Sequence, residues 1–200
     1  MRVFYAVKFA DYVKQAFVDN ITEIKKYTLR GNFMAKDNFH ITLVFVGECD
    51  TGKLALLKKA ADKTVENLNL PERFKTNPII GTIDGLGTFS RPFGEELLWV
   101  GVKTNPEDIL AKINKSIIKE LANCGIYTKE DHAEYIPHIT IARKVEFSRI
   151  SSGELDQINF TPIDFTVNSI TLMESTQEVV TTYGRRYTKL VYKPLYESRF

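Results

Sequence analysis

Asn38-Phe39-His40-Ile41-Thr42-Leu43-Val44-Phe45-Val46-Gly47-Glu48 and Pro137-His138-Ile139-Thr140-Ile141-Ala142-Arg143 are the two stretches whose reading decides the fold. Each opens a four-residue pattern, H-I-T-[LI], and the second copy begins 98 positions after the first. Side chains two apart on a strand share a face, so His40 points with Thr42 and His138 with Thr140. Ile41, Leu43, Ile139 and Ile141 then turn to the opposite face, into a core. Each strand therefore offers an imidazole beside a hydroxyl, anchored from behind by apolar packing. The chain has three histidines, and two of them open this pattern. A buried structural histidine has no reason to carry a threonine two positions on. If the two halves meet about a pseudo-twofold, the two pairs face one another across a cleft.

Outward from these strands, Val3 to Phe9 reads as a strand. Val13, Phe17, Ile21 and Ile24 are spaced for one face of a helix that Gly31 would stop. Asp50 or Thr51 caps a second helix, with Leu54, Leu57, Ala61, Val65 and Leu68 on its apolar stripe and Pro71 at its close. Residues 73 to 103 look like a strand pair, ending in the strong run Leu97-Leu98-Trp99-Val100-Gly101-Val102. Asn105-Pro106-Glu107-Asp108 starts a third helix, striped by Leu110, Ile113, Ile117, Leu121 and Cys124 and ended by Gly125. Strand patterns return at 138–143, 162–173 and 187–193, with Tyr183-Gly184-Arg185 as a hairpin turn. No low-complexity linker interrupts the chain. Residues 1–200 are expected to form a single domain of α+β class, since the order of elements does not suit a doubly wound parallel sheet.

Composition narrows the function classes. Hydrophobic residues make up 44% and charged residues 26%, as in an ordinary globular protein. Lys and Arg number 27 against 25 Asp and Glu, a net charge of +2 that excludes a strong polyanion field but permits a local basic cleft. That suits a small anionic substrate or an RNA end better than a long duplex. The two cysteines, Cys49 and Cys124, make no C-x-x-C and no disulfide framework, which points to a reducing compartment. No run approaches a membrane span, and Lys8 and Asp11 break up any signal-peptide stretch. A cytoplasmic protein is expected.

Two imidazoles suit phosphoryl chemistry. Histidine titrates near about 6.5, so one ring can be neutral while the other is protonated at the same pH. The neutral ring takes a proton from attacking water and the charged ring gives one to the departing oxygen. The paired threonines position the phosphoryl oxygens and stabilise charge building on them.

The two stretches resemble the paired signatures of the two-histidine phosphoesterases, and most nearly those of the LigT-like (ThpR) RNA 2',3'-cyclic phosphodiesterases. The likeness extends to Arg2–Phe9, to a Gly87-Thr88-Phe89 turn before Leu98-Trp99-Val100-Gly101, and to Leu172-Met173-Glu174-Ser175 leading to Tyr187. Phe39 stands where that family often has tryptophan. The resemblance implies a bilobal pseudo-twofold α+β fold, with antiparallel sheets lining a central cleft and helices outside. It implies opening of a terminal 2',3'-cyclic phosphate to a 2'-phosphate with no metal or cofactor, on RNA ends or cyclic nucleotides, by a monomer. His40 would be the general acid and His138 the general base. It also places a phosphate-binding arginine at Arg143. Strand parity alone would turn Arg143 away from His138 unless the strand ends or bulges there.

Other signals carry less. Phe45 is a candidate to stack a nucleobase, as is Tyr135, and core packing is the alternative for Phe45. Arg91, Arg185 and Arg186 are candidates for RNA phosphates or plain solvated charges. His132 lacks a threonine partner and belongs to a polar loop. Three further functions use the same residues or leave them idle. They are 2'-5' RNA ligation or cleavage of other 2'-linked or cyclic nucleotides, RNA-end binding without catalysis, and metal-dependent hydrolysis with ligands still to be found near the histidines.

Overall fold

Val3, Phe4, Tyr5, Ala6 and Val7 are all buried, which sets the first strand, β1 (Arg2–Lys8), inside one sheet with both faces covered. The computed structural model describes residues 1–76, 78–90, 92, 95–128, 134–148, 150, 153–182 and 185–200, with backbone alone at 73, 74, 76, 182 and 185. β1 pairs antiparallel with β3 (His40–Glu48) and β8 (Ser169–Thr182), and β9 (Arg185–Arg199) completes the order β3-β1-β8-β9. The second sheet is also antiparallel. It runs β2 (Thr28–Phe33), β6 (His138–Phe147), β5 (Glu96–Asn105), β4 (Ile79–Ser90), β7 (Ile163–Val167). Each H-I-T strand therefore lies in its own sheet. Among the described residues, four α-helices lie outside: α1 (Asp11–Ile24), α2 (Leu54–Asn67), α3 (Leu70–Thr76) and α4 (Ile109–Asn123). The fold is α+β, as the sequence predicts. The spaced apolar residues of α1, α2 and α4 join one cluster that takes in both sheets, buried in it except for Leu54, Leu68 and Cys124, which pack against its edge partly buried. Among the described residues, no helix is long and apolar enough to cross a membrane.

Several local expectations change. Gly31 does not stop a helix: α1 ends at Ile24, and Gly31 sits inside β2. That strand is hard to read because it is a short edge strand with Leu29 exposed. Pro71 does not close a helix either but lies in the first turn of α3, where a missing N–H costs nothing. Gly87-Thr88-Phe89 is not a turn; it lies within β4, with Gly87 opposite Trp99. A Cβ on Gly87 would run into the Trp99 indole, so the glycine is needed for close approach. Asp50 accepts from the Gly52 N–H at 2.7 Å and leads through a 3-10 turn into α2. The turn at Tyr183-Gly184 lies outside the described residues, although β8 and β9 pair as far as Thr182 and Arg185.

Both H-I-T strands carry the same irregularity. Along β1, Lys8, Val7 and Ala6 face His40, Ile41 and Thr42, but Tyr5 then faces Val44, leaving Leu43 as an extra residue. Along β5, Gly101, Val100 and Trp99 face His138, Ile139 and Thr140, but Leu98 faces Ala142, leaving Ile141 extra. These are β-bulges at matching positions. Each puts two buried residues in a row, Leu43-Val44 and Ile141-Ala142. The alternation is thereby reset, and Phe45 and Arg143 rejoin the face of the histidine and threonine. The bulged carbonyls are satisfied from elsewhere: Leu43 accepts from the buried Asn114 side chain at 2.7 Å, and Ile141 from the Met34 N–H at 2.8 Å.

Replacing Asn114 with alanine should strand the buried Leu43 carbonyl. A loss of about 1–3 kcal/mol is expected, read as a lower denaturation midpoint with an unchanged slope. An unaltered midpoint would mean that the bulge holds without α4.

Candidate active site

Both histidines begin their strands and are oriented by the same short-range device. The Nδ1–H of His40 donates to the Asn38 carbonyl at 2.7 Å, and that of His138 to the Ile136 carbonyl at 2.8 Å. Each bond selects the tautomer that leaves Nε2 for chemistry. The Thr42 hydroxyl donates to His40 Nε2 at 3.0 Å. Asn38 is itself held, its side chain donating to the Leu190 carbonyl at 2.9 Å, and the next residue, Phe39, stacks on Phe17 in the core. The Tyr135 hydroxyl donates to the Thr42 carbonyl at 3.0 Å, tying the segment before β6 to β3.

Aromatic rings prop each imidazole. Phe4 and Tyr192 lie 4.9 and 5.0 Å from His40, centroid to centroid. Phe89 meets His138 edge-on at 5.1 Å, and Trp99 stands at 6.2 Å. Such contacts restrict ring rotation without removing the free nitrogen.

Between the strands lies a cleft of about 290 Å³, lined by His40, Thr42, Phe45, Thr140 and Arg143, with Arg2 and Tyr192 on its walls. Arg143 points into it, which settles the parity question in favour of the bulge. It donates to the Tyr192 hydroxyl. His138 is not part of that lining, though it lies near enough for its charge to act on His40. Burial pushes His40 down, against the pull of the Asn38 carbonyl, and the positive charges of Arg143 and His138 lower it further, to about 4. His40 is thus neutral in the empty cleft at neutral pH. A negatively charged group between the strands would offset both neighbouring charges and raise its proton affinity. The arrangement can seat a phosphoryl group, donate hydroxyls to its oxygens and present imidazole nitrogens to it.

Phe45 is half-buried on the cleft wall, with the Arg2 guanidinium 4.9 Å from its ring centroid. Arg186 is exposed on β9 opposite Thr181. His132 and Arg91 lie outside the described residues. Arg2 and Tyr192 are cleft residues that sequence reasoning passes over. Arg2 shares strand parity with Phe4 and Ala6, but burial does not mark that face, because Val3 to Val7 are all buried. Tyr192 carries no legible signal, because its place depends on the pairing of β9 with β8.

Comparison with known proteins follows the same lines. A family model described as the 2'-5' RNA ligase superfamily matches residues 13–178. An RNA 2',3'-cyclic phosphodiesterase of Thermotoga maritima is 28% identical over 201 residues, covering 100% of this chain and 96% of the relative. One of Methanocaldococcus jannaschii is 32% identical over 143 residues, covering 72% and 71%. Among solved structures, E. coli LigT complexed with 3'-AMP superposes with a TM-score of 0.68 at 21% identity, covering 99% of this chain and 97% of that one. TT0787 of Thermus thermophilus gives 0.65 at 20% identity, covering 100% and 97%. These two likenesses bear on the fold.

NMR titration of the His40 ring should give a midpoint near 4, and Arg143→Gln should move it upward by removing a neighbouring positive charge. An ordinary midpoint of about 6.5 would contradict the burial argument. Trp99 is the chain's only tryptophan, so Gly87→Ala should red-shift its fluorescence as the indole is displaced, and should perturb the His138 ring resonances. Both signals staying put would show that Trp99 does not position His138.

Proposed function

The chain belongs to the 2'-5' RNA ligase superfamily, and on that premise we propose that it is an RNA 2',3'-cyclic phosphodiesterase, opening a terminal cyclic phosphate to a 2'-phosphate by two-histidine acid–base catalysis. The observation that carries this reading is the matched pair of strands. Each carries histidine, threonine and a residue turned by the bulge to the same side, and His40, Thr42, Phe45, Thr140 and Arg143 line one cleft, with His138 near enough for its charge to act on His40. The names of the relatives support the substrate.

In this reading the cyclic phosphorus sits between the two imidazoles. Water attacks it, and His138 takes the water's proton through Nε2. The bond from phosphorus to O3' breaks, and His40 delivers a proton from Nε2 to that oxygen, leaving the phosphate on O2'. The Thr42 and Thr140 hydroxyls and the Arg143 guanidinium hold the non-bridging oxygens and stabilise their growing charge. The low proton affinity of His40 leaves it neutral without a bound anion, so to act as the acid it must first gain a proton. The anionic substrate itself raises that affinity, so the acid is loaded as the ester binds, and a ring that is neutral otherwise gives its proton up readily. None of these steps draws on a metal ion or cofactor. We read residues 1–200 as one bilobal unit, a reading supported by a main core cluster that takes in residues of both sheets, and as a monomer in the cytoplasm.

The deciding assay incubates an RNA ending in a 2',3'-cyclic phosphate, in chelator, with wild type, His40→Ala and His138→Ala. Wild type should yield a 2'-phosphate end, and each substitution should cost about 10²- to 10⁴-fold in rate. A 3'-phosphate product, or two active single variants, would overturn the reading. The superfamily description keeps 2'-5' ligation as a second outcome, and the same assay with an added 5'-hydroxyl RNA would reveal it as a joined product.

A further inference from the structure

The cleft holds more positive charge than one cyclic phosphodiester can neutralise. Arg143 stands beside Thr140, Arg2 lies on the wall formed by β1, and both act on the Tyr192 phenol between them. Among the described residues, no carboxylate is within ion-pair distance of either guanidinium. A cyclic phosphate brings a single negative charge, and Arg143, on the strand of His138 and Thr140, is placed to meet it. Arg2 is left over.

The strand register places that surplus charge. Ala6 faces Thr42 and Phe4 faces Phe45, so Arg2 lies two rungs beyond the threonine, a displacement of about 14 Å along β1. Its side chain folds back over Phe45, 4.9 Å from the ring centroid, which fixes a flexible group and keeps it directed into the cleft. Tied to the Phe45 ring, the guanidinium is set towards the Phe45 end of the cleft, where it can meet the next charge along a strand while Arg143 meets the cyclic phosphate.

We infer that Arg2, seated on Phe45, binds the phosphodiester on the 5' side of the terminal nucleotide, so that the site is built for an RNA strand and disfavours a lone cyclic mononucleotide. This rests on the phosphodiesterase reading and deepens it. Phe45 becomes a positioning residue for the guanidinium, with one face of its ring already covered, in place of an open platform for a base. Arginine suits the task because its planar fork can stack and still present N–H donors to phosphate.

The test compares adenosine 2',3'-cyclic monophosphate with the dinucleotide ApA ending in a 2',3'-cyclic phosphate. In wild type, kcat/KM for the dinucleotide should fall more steeply with salt, the log–log slope being more negative by about 0.7 for one extra phosphate contact on a single strand. Arg2→Gln should raise KM for the dinucleotide about tenfold more than for the mononucleotide, the order of one lost charge-assisted contact, and should erase the difference in salt slope. Arg2→Lys, which keeps the charge, should retain that difference. Equal losses on the two substrates would place Arg2 on the reacting phosphate and overturn the inference, as would equal salt slopes in wild type. Failure of wild type to hydrolyse either substrate would sink the phosphodiesterase reading itself, a result distinct from both.

Discussion

One extra residue in each of two strands is the constraint on which the site depends. Leu43 and Ile141 break the period-two alternation immediately after the threonine, and both stay buried while doing so. Without the bulges, the residue three past each threonine would face the core. Arg143 would then be a buried, unpaired charge, an arrangement far costlier than a bulge. With them, imidazole, hydroxyl and a third functional group line up on one face. A bulge strands a backbone carbonyl, and the buried Asn114 of α4 and the Met34 N–H supply the two missing donors. The site is held in shape by backbone accounting as much as by its own side chains.

The histidines show how one local device serves two different environments. Both rings donate from Nδ1 to the carbonyl two residues back, so both offer Nε2. Their surroundings differ. His40 lies among Phe4, Tyr192 and the Thr42 hydroxyl, and burial makes its charged form expensive; His138 is flanked by Phe89 and Trp99. The separate acid and base roles proposed for them require two titrating groups that are not equivalent, and here the inequivalence comes from packing, because the motif is repeated almost letter for letter.

Much of the architecture exists to hold two sheets at the right separation. The Tyr135 hydroxyl reaches from the segment before β6 to the Thr42 carbonyl of β3. Asp62 on α2 accepts from Tyr196 and Ser198 of β9, fixing that helix to the sheet of His40. Gly87 lets the Trp99 indole lie flat across β4 and so reach His138. Each sets an angle or a distance among the groups around the cleft, and in the proposed reaction small misplacements would cost large factors in rate.

The two H-I-T tetrads, the inward direction of Ile41, Leu43, Ile139 and Ile141, and the apolar stripes of α1, α2 and α4 were all legible in the sequence, because strand and helix periods are local properties of the chain. So was the α+β class. The edge strand β2 was not, since its alternation is weak and Leu29 faces solvent. The position of Arg143 could be posed as a parity problem but not solved, because a bulge survives only if distant groups satisfy its carbonyl, and Asn114 and Met34 become neighbours only on folding. The depressed proton affinity of His40 and the seating of Arg2 on Phe45 belong to the same class. Periodicity is written residue by residue along the chain. Desolvation, charge proximity and hydrogen-bond satisfaction are sums over whatever packs nearby, and only the tertiary structure determines those neighbours.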